Sequence, residues 1–140
     1  GESHPPALLQ LCGSRDAYIF RLEDIGLLTE LAGLLGNPDI VKAGVAVKHD
    51  ISELKNLAPF EAAGFIDLGN VARKKGLQHH GLRGLAALLL NCRISKGAQL
   101  TNWSRADLPD HALLYAATDA WIGRRLYEAI NKIDHAPPAQ

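Results

Sequence analysis

Tyr115-Ala116-Ala117-Thr118-Asp119 places a phenol and a carboxylate four residues apart, on one face of a helix with only small side chains between them. A second carboxylate, Asp50, closes the stretch Ile40-Val41-Lys42-Ala43-Gly44-Val45-Ala46-Val47, whose β-branched, nearly unbroken apolar character predicts a strand covered on both faces. Asp50 therefore stands at the carboxyl end of that strand, where ligands of α/β sheets bind. Hard divalent ions such as Mg²⁺ take oxygen ligands, and two carboxylates from distant segments can hold them without a dedicated cage. The plainer alternative is a Tyr and an Asp one turn apart as an ordinary surface pair. His79-His80 offers no metal site, because adjacent side chains diverge and no third ligand is evident. No G-x-G-x-x-G or Walker pattern is present, so Gly44 and Gly64 mark turns or close backbone approach and not a phosphate cradle. Gln10, alone on a strand, carries little weight.

The elements that must position these groups follow from periodicity. Ala7–Leu11 and Ala17–Phe20 flank the turn Gly13-Ser14-Arg15-Asp16 and predict a hairpin. Ile25, Leu28, Leu31, Ala32 and Leu35 recur at helical spacing after Asp24, and Gly36-Asn37-Pro38 ends the run. A short helix is expected from His49 to Leu57, and a short strand over Phe65–Leu68. Residues 69–80 are polar and basic, and Arg73, Lys74 and Lys75 read as a solvated loop, with phosphate contact as the alternative. Leu82, Leu85, Ala86, Leu88 and Leu89 predict a buried helix. The segment Asn91 to Asp107 exceeds ordinary loop length, which favours a functional segment. Pro109 opens a last helix reaching about Ile133, with Leu113, Ala117, Ile122, Leu126 and Ile130 as core contacts. The order predicts an α/β domain over residues 1–134 with a mixed three-layer sheet, then a flexible tail, 135–140.

The chain has 140 residues, 47% hydrophobic and 21% charged, with formal net charge zero. This is the composition of one globular domain, large enough to bury a core without disulfide or metal staples. Neutrality excludes a bulk electrostatic pull toward nucleic acid or anionic membrane and predicts modest affinity with a shallow salt dependence. Residues 1–70 nevertheless carry 5 basic and 10 acidic side chains and residues 71–140 carry 10 and 5, which suits a cation-holding site beside a surface for an anionic ligand. Cys12 and Cys92 show no metal or disulfide spacing, so a reducing, cytoplasmic setting is expected. No apolar run approaches a membrane span and no signal peptide is visible. The chain has no Met, and its gene is expected to begin upstream of Gly1.

Several segments in order resemble one family: the strand with its acidic residue, Val41 to Asp50; the Leu82-x-x-Leu85 helix; Ser95-Lys96 through Thr101-Asn102-Trp103; and Tyr115-Ala-Ala-Thr-Asp119-Ala. Together, from about Ala7 to Ile130, they look like the tyrosine-type DEDD 3′–5′ exonucleases. The likeness is to the ribonuclease D branch that includes the Werner syndrome exonuclease domain. The resemblance implies an RNase H-like fold, two Mg²⁺ or Mn²⁺ ions, and release of nucleoside 5′-monophosphates from a 3′ end. Asp50 resembles the family's second-motif aspartate, Asp119 the third-motif metal ligand, and Tyr115 the tyrosine that orients the attacking water. The histidine subclass has His five residues before its last aspartate; position 114 is Leu, and His111 lies too far upstream. The family's first motif, Asp-x-Glu, belongs on a strand before Ala7 and is not among residues 1–6, so upstream residues are expected to supply it.

Such a site would work on single-stranded or 3′-recessed DNA or RNA, with no membrane involved. Lys96 and Arg105 are candidates for phosphate contacts, Trp103 for stacking on a base or for packing, and Leu54 for a wedge against the terminal base or for the core. The alternatives are a catalytically inactive nucleic-acid-binding or interaction domain of the same fold, and a hydrolase restricted to very short oligonucleotides.

Overall fold

The computed structural model describes residues 8–22, 29–94 and 110–133. Strands β1 (Leu8–Cys12) and β2 (Ala17–Arg21) form the expected antiparallel hairpin, with Gln10 opposite Ile19 and Cys12 opposite Ala17. Helix α1 (Thr29–Leu35) ends at Gly36, whose N–H donates to the Ala32 carbonyl at 3.0 Å. Strand β3 (Lys42–Gly44) pairs in parallel with β4 (Phe65–Asp67), Lys42 opposite Phe65 and Gly44 opposite Asp67. Between them runs α2 (Val47–Leu57). Helix α3 (Leu68–Lys74), α4 (Leu82–Leu90) and the long α5 (Asp110–Ile130) complete the order.

Two expectations need correction. The strand expected over residues 40–47 is three residues long, and Ile40 and Val41 are 41% and 46% exposed. Among the described residues β3 bonds to β4 alone, and the hairpin forms a separate two-stranded sheet, so the apolar run has no second neighbour to cover its start. Residues 69–80 are also not a plain loop. The Asp67 carboxylate accepts from the Gly69 N–H at 2.9 Å and the Asn70 N–H at 3.4 Å, and this cap starts α3. Leu68 and Ala72, four apart, are fully buried, while Arg73 and Lys74 fall in the last turn, where cations suit the helix dipole. Lys75 follows, and its ammonium donates to the Ile133 carbonyl beyond the end of α5.

The core lies in two clusters. Leu68 and Ala72 of α3, Leu85 and Ala86 of α4, and Ile122, Leu126 and Ile130 of α5 form one. Leu22, Leu35 and Leu54 form the other, with Leu9, Phe20, Phe60 and Phe65 packed against them. In α5 the buried face matches the expected register at Ile122, Leu126 and Ile130; in its first half Ala112 and Ala116 are buried, and Leu113 and Ala117 only half-buried. Buried Lys42 ties α1 to β3, donating to the carbonyls of Leu34 at 2.9 Å and Asn37 at 2.8 Å, with the centre of the Phe65 ring 5.4 Å from its ammonium. Desolvation pushes this ammonium below the usual lysine pKa. Gly64 closes the same corner at φ 76°, where a Cβ would sit 2.5 Å from the Ile40 carbonyl oxygen.

Candidate active site

Helix α5 carries Tyr115, Asp119 and Gly123 at successive four-residue steps, so the three form one stripe along the helix. Gly123 is buried, and a Cβ built on it would lie 3.8 Å from the Ala43 carbonyl oxygen, which puts this end of the stripe against β3. Tyr115 is half-buried and meets His111, one turn earlier, edge to face with ring centroids 6.0 Å apart. Asp119 is half-buried, and desolvation raises its carboxyl pKa; no cation among the described residues offsets that burial.

Asp50 is reached through the turn that follows β3. After Gly44 the chain turns at Ala46, whose φ of 59° and ψ of 39° are left-handed, and this turn starts α2 without a side-chain cap. Asp50 falls in the first turn of α2, where the helix dipole favours a negative charge. Asp50 thus belongs to the helix that follows the strand, a few residues beyond the strand's carboxyl end. Its surface is open to solvent, yet the packing around the carboxylate raises its pKa; His49 opposes the shift, and the charges of Glu53 and Asp67 add to it. Asp67, at the end of the paired strand β4, is thereby an electrostatic neighbour of Asp50 that no motif in the sequence marks. Its position opposite Gly44 in the β3–β4 register is the signal that would have found it.

The donor chemistry fits a hard divalent cation. Asp50 and Asp119 are desolvated carboxylates whose raised pKa values report negative charge that their neighbours do not offset in full. Among the described residues no group of three or more His, Cys, Asp or Glu side chains stands close enough to hold a metal. Mg²⁺ is commonly held by one or two protein carboxylates together with water and substrate phosphate.

The other candidates divide. Leu54 is 4% exposed and packed with Leu22 and Leu35, which favours the core over the wedge. Lys96, Trp103 and Arg105 lie outside the described residues. His79 and His80 hold no shared ligand: the His80 ring nitrogen bonds the Leu77 carbonyl at 2.9 Å, and His79 packs beside Gly84. Gln10 is exposed on β1.

The 3′–5′ exonuclease family model matches residues 6–133. The mouse bifunctional 3′–5′ exonuclease/ATP-dependent helicase WRN is 30% identical over 139 residues, which are 95% of this chain and 10% of that protein. Ribonuclease D of Haemophilus influenzae is 39% identical over 104 residues, 71% of this chain and 25% of the enzyme. The chain thus spans a quarter or less of the length of these curated relatives. Among solved structures, Brucella melitensis NrnC with bound Mg²⁺ superposes with a TM-score of 0.78 at 21% identity, over 91% of this chain and 63% of that one. The same protein bound to pGG gives a TM-score of 0.77 at 22% identity over the same shares, 91% and 63%. The likeness establishes the fold as α/β and RNase H-like.

Proposed function

Because the chain belongs to the 3′–5′ exonuclease family, we propose that it hydrolyses DNA or RNA from the 3′ end, releasing nucleoside 5′-monophosphates, with Asp50, Tyr115 and Asp119 as its catalytic residues. The observation that carries this reading is the stripe Tyr115–Asp119–Gly123, whose Gly123 end meets β3, with the Asp50 turn leaving the same strand and burial raising the pKa of both carboxylates. In the reaction a water oxygen bonds to the terminal phosphorus as the bond to the preceding nucleotide's 3′ oxygen breaks. That oxygen takes up a proton, and the water's proton passes to solvent.

Tyr115 orients the water through its phenol oxygen, a task that hydrogen bonding performs without a strong base. Asp50 and Asp119 would hold the divalent cations, two of Mg²⁺ or Mn²⁺, which when bound activate water and offset charge on the phosphate and the leaving oxygen. Lys96 and Arg105 are assigned to substrate phosphates and Trp103 to a base of a single-stranded or 3′-recessed substrate. That NrnC binds pGG supports including very short oligonucleotides in the test. Free thiols at Cys12 and Cys92 support a reducing, cytoplasmic setting. No helix among the described residues is long and apolar enough to cross a membrane.

Asp119→Asn tests the reading. With a 5′-labelled, 3′-recessed strand and Mg²⁺ or Mn²⁺, the natural polypeptide should give a ladder of 3′-shortened products. The substitution should slow that ladder at least a hundredfold while changing strand affinity less than threefold in the absence of metal. The lack of a three-ligand cluster among the described residues favours, as the second reading, an inactive binding domain of the same fold. Strand binding without any ladder under either metal would select it, and equal loss of binding and turnover in folded Asp119→Asn would refute the metal-ligand role.

A further inference from the structure

On the face of α5 turned away from Asp119 the structure holds a cavity of about 290 Å³. The Gly13-Ser14-Arg15-Asp16 turn forms one wall, and Ala117, Thr118 and Trp121 form the other. Ala117 and Trp121 lie roughly 160° around the helix from Asp119, whereas Thr118 is one turn from Tyr115, so the cavity begins beside the stripe and its Trp121 side faces away from it. We propose that the cavity is a nucleobase subsite, engaged by a substrate strand several nucleotides from the end being hydrolysed. It rests on the exonuclease reading and adds to it a second contact region.

Four observations carry the assignment. Trp121 stays 48% exposed although it is the largest apolar side chain on the helix, so its ring is not spent on the core. The Arg125 guanidinium lies 5.7 Å from that ring and 3.8 Å from Glu128, which fixes a cation beside the aromatic wall. Small residues, Ala117 and Thr118, leave room next to the ring, and the Thr118 hydroxyl is already engaged with the Leu114 carbonyl at 2.7 Å. The turn is held by the Gly13 N–H donating to the Asp16 carbonyl at 2.9 Å, and its Arg15 and Asp16 line the cavity. An aromatic ring at one wall, with the Arg125 guanidinium beside it and Arg15 in the opposing turn, matches a stacked base joined to phosphates. The volume lies at the lower edge of small-ligand pockets, which suits one ring system.

Because a helix with its side chains is about 10–12 Å across, a strand must run around α5 to touch both faces. The subsite therefore acts on long strands and not on the shortest ones. The test measures fluorescence anisotropy of labelled single-stranded dodecamer and dinucleotide with the natural polypeptide, without divalent metal. Trp121→Ala and Arg15→Gln should each weaken dodecamer affinity roughly tenfold, the loss of one stacking or ionic contact. Dinucleotide affinity should move less than twofold, and Trp121→Phe should restore most of the loss. Dodecamer affinity unchanged in both variants, with the unsubstituted protein binding and digesting it, overturns the subsite and leaves the exonuclease reading intact. A shift in sedimentation with no shift in strand affinity assigns the face to protein contact and likewise overturns it. Failure of the unsubstituted protein to bind either strand overturns both readings.

Discussion

Asp119 and Asp50 are held in a state that costs the folded chain free energy. Burial raises both carboxyl pKa values above the ordinary aspartate value of 3.8, so the folded chain binds protons that the unfolded chain releases. The stability these groups contribute is therefore fully present below pH 3.8 and is lost as pH rises through their raised folded values. The ionised form of each is the one that burial disfavours. Asp119→Asn, which cannot ionise, should raise the metal-free melting temperature at pH 7 by about 1–3 °C and flatten the fall in stability on the mildly acidic side. A lower melting temperature for the folded variant at pH 7 would show that the carboxylate is compensated. The same charge that costs stability is what a divalent cation and a phosphate would use, so the substitution trades activity for stability.

The turn that delivers Asp50 is the costliest short stretch of backbone in the described fold. Ala46 sits at φ 59° between β3 and α2, a conformation that costs an L-residue about 1–2 kcal/mol and glycine almost nothing. Ala46→Gly should stabilise the chain by about 0.5–1 kcal/mol in urea unfolding, after the extra freedom of the unfolded chain is subtracted. A loss of stability would mean that the Ala46 methyl is needed for packing. Sequence alone shows the helix around this turn but not the strain within it. The regular elements were legible where a period repeated: α5 was readable over its 21 residues, because Ile122, Leu126 and Ile130 mark one face. A run of apolar residues such as Ile40–Val47 states that burial is wanted but not which neighbour provides it, so the strand's true length was hidden. The short α3 was hidden because two turns of helix with a basic end carry little periodicity; its one local signal is Asp67, a capping residue three before Asn70. Asp50, Tyr115 and Asp119 were legible as types at a spacing. That Gly123 seats their helix on Ala43 is a tertiary fact with no local signature.

At the scale of the molecule, α5 is the element that both halves share. It packs on β1, β2 and β3 as well as on α3 and α4, while the two sheets do not hydrogen-bond to each other among the described residues. Cooperativity between the hairpin and the β3–β4 pair must therefore pass through this helix and through the Leu22–Leu35–Leu54 cluster. Leu126 is fully buried where α5 meets α3 and α4, so Leu126→Ala removes a side chain whose space the surrounding helices cannot fully close. The expected loss is about 2–5 kcal/mol, a large share of the roughly 5–15 kcal/mol that holds such a domain together. Because α5 also carries Tyr115 and Asp119, the damage should reach the site although Leu126 lies two turns from it. Native-state hydrogen exchange read at β1, β4 and α5 together decides the matter. Equal loss of protection in all three shows one cooperative unit joined by the helix, whereas loss confined to α3, α4 and the end of α5 shows that the hairpin and the first half of α5 are held by other contacts.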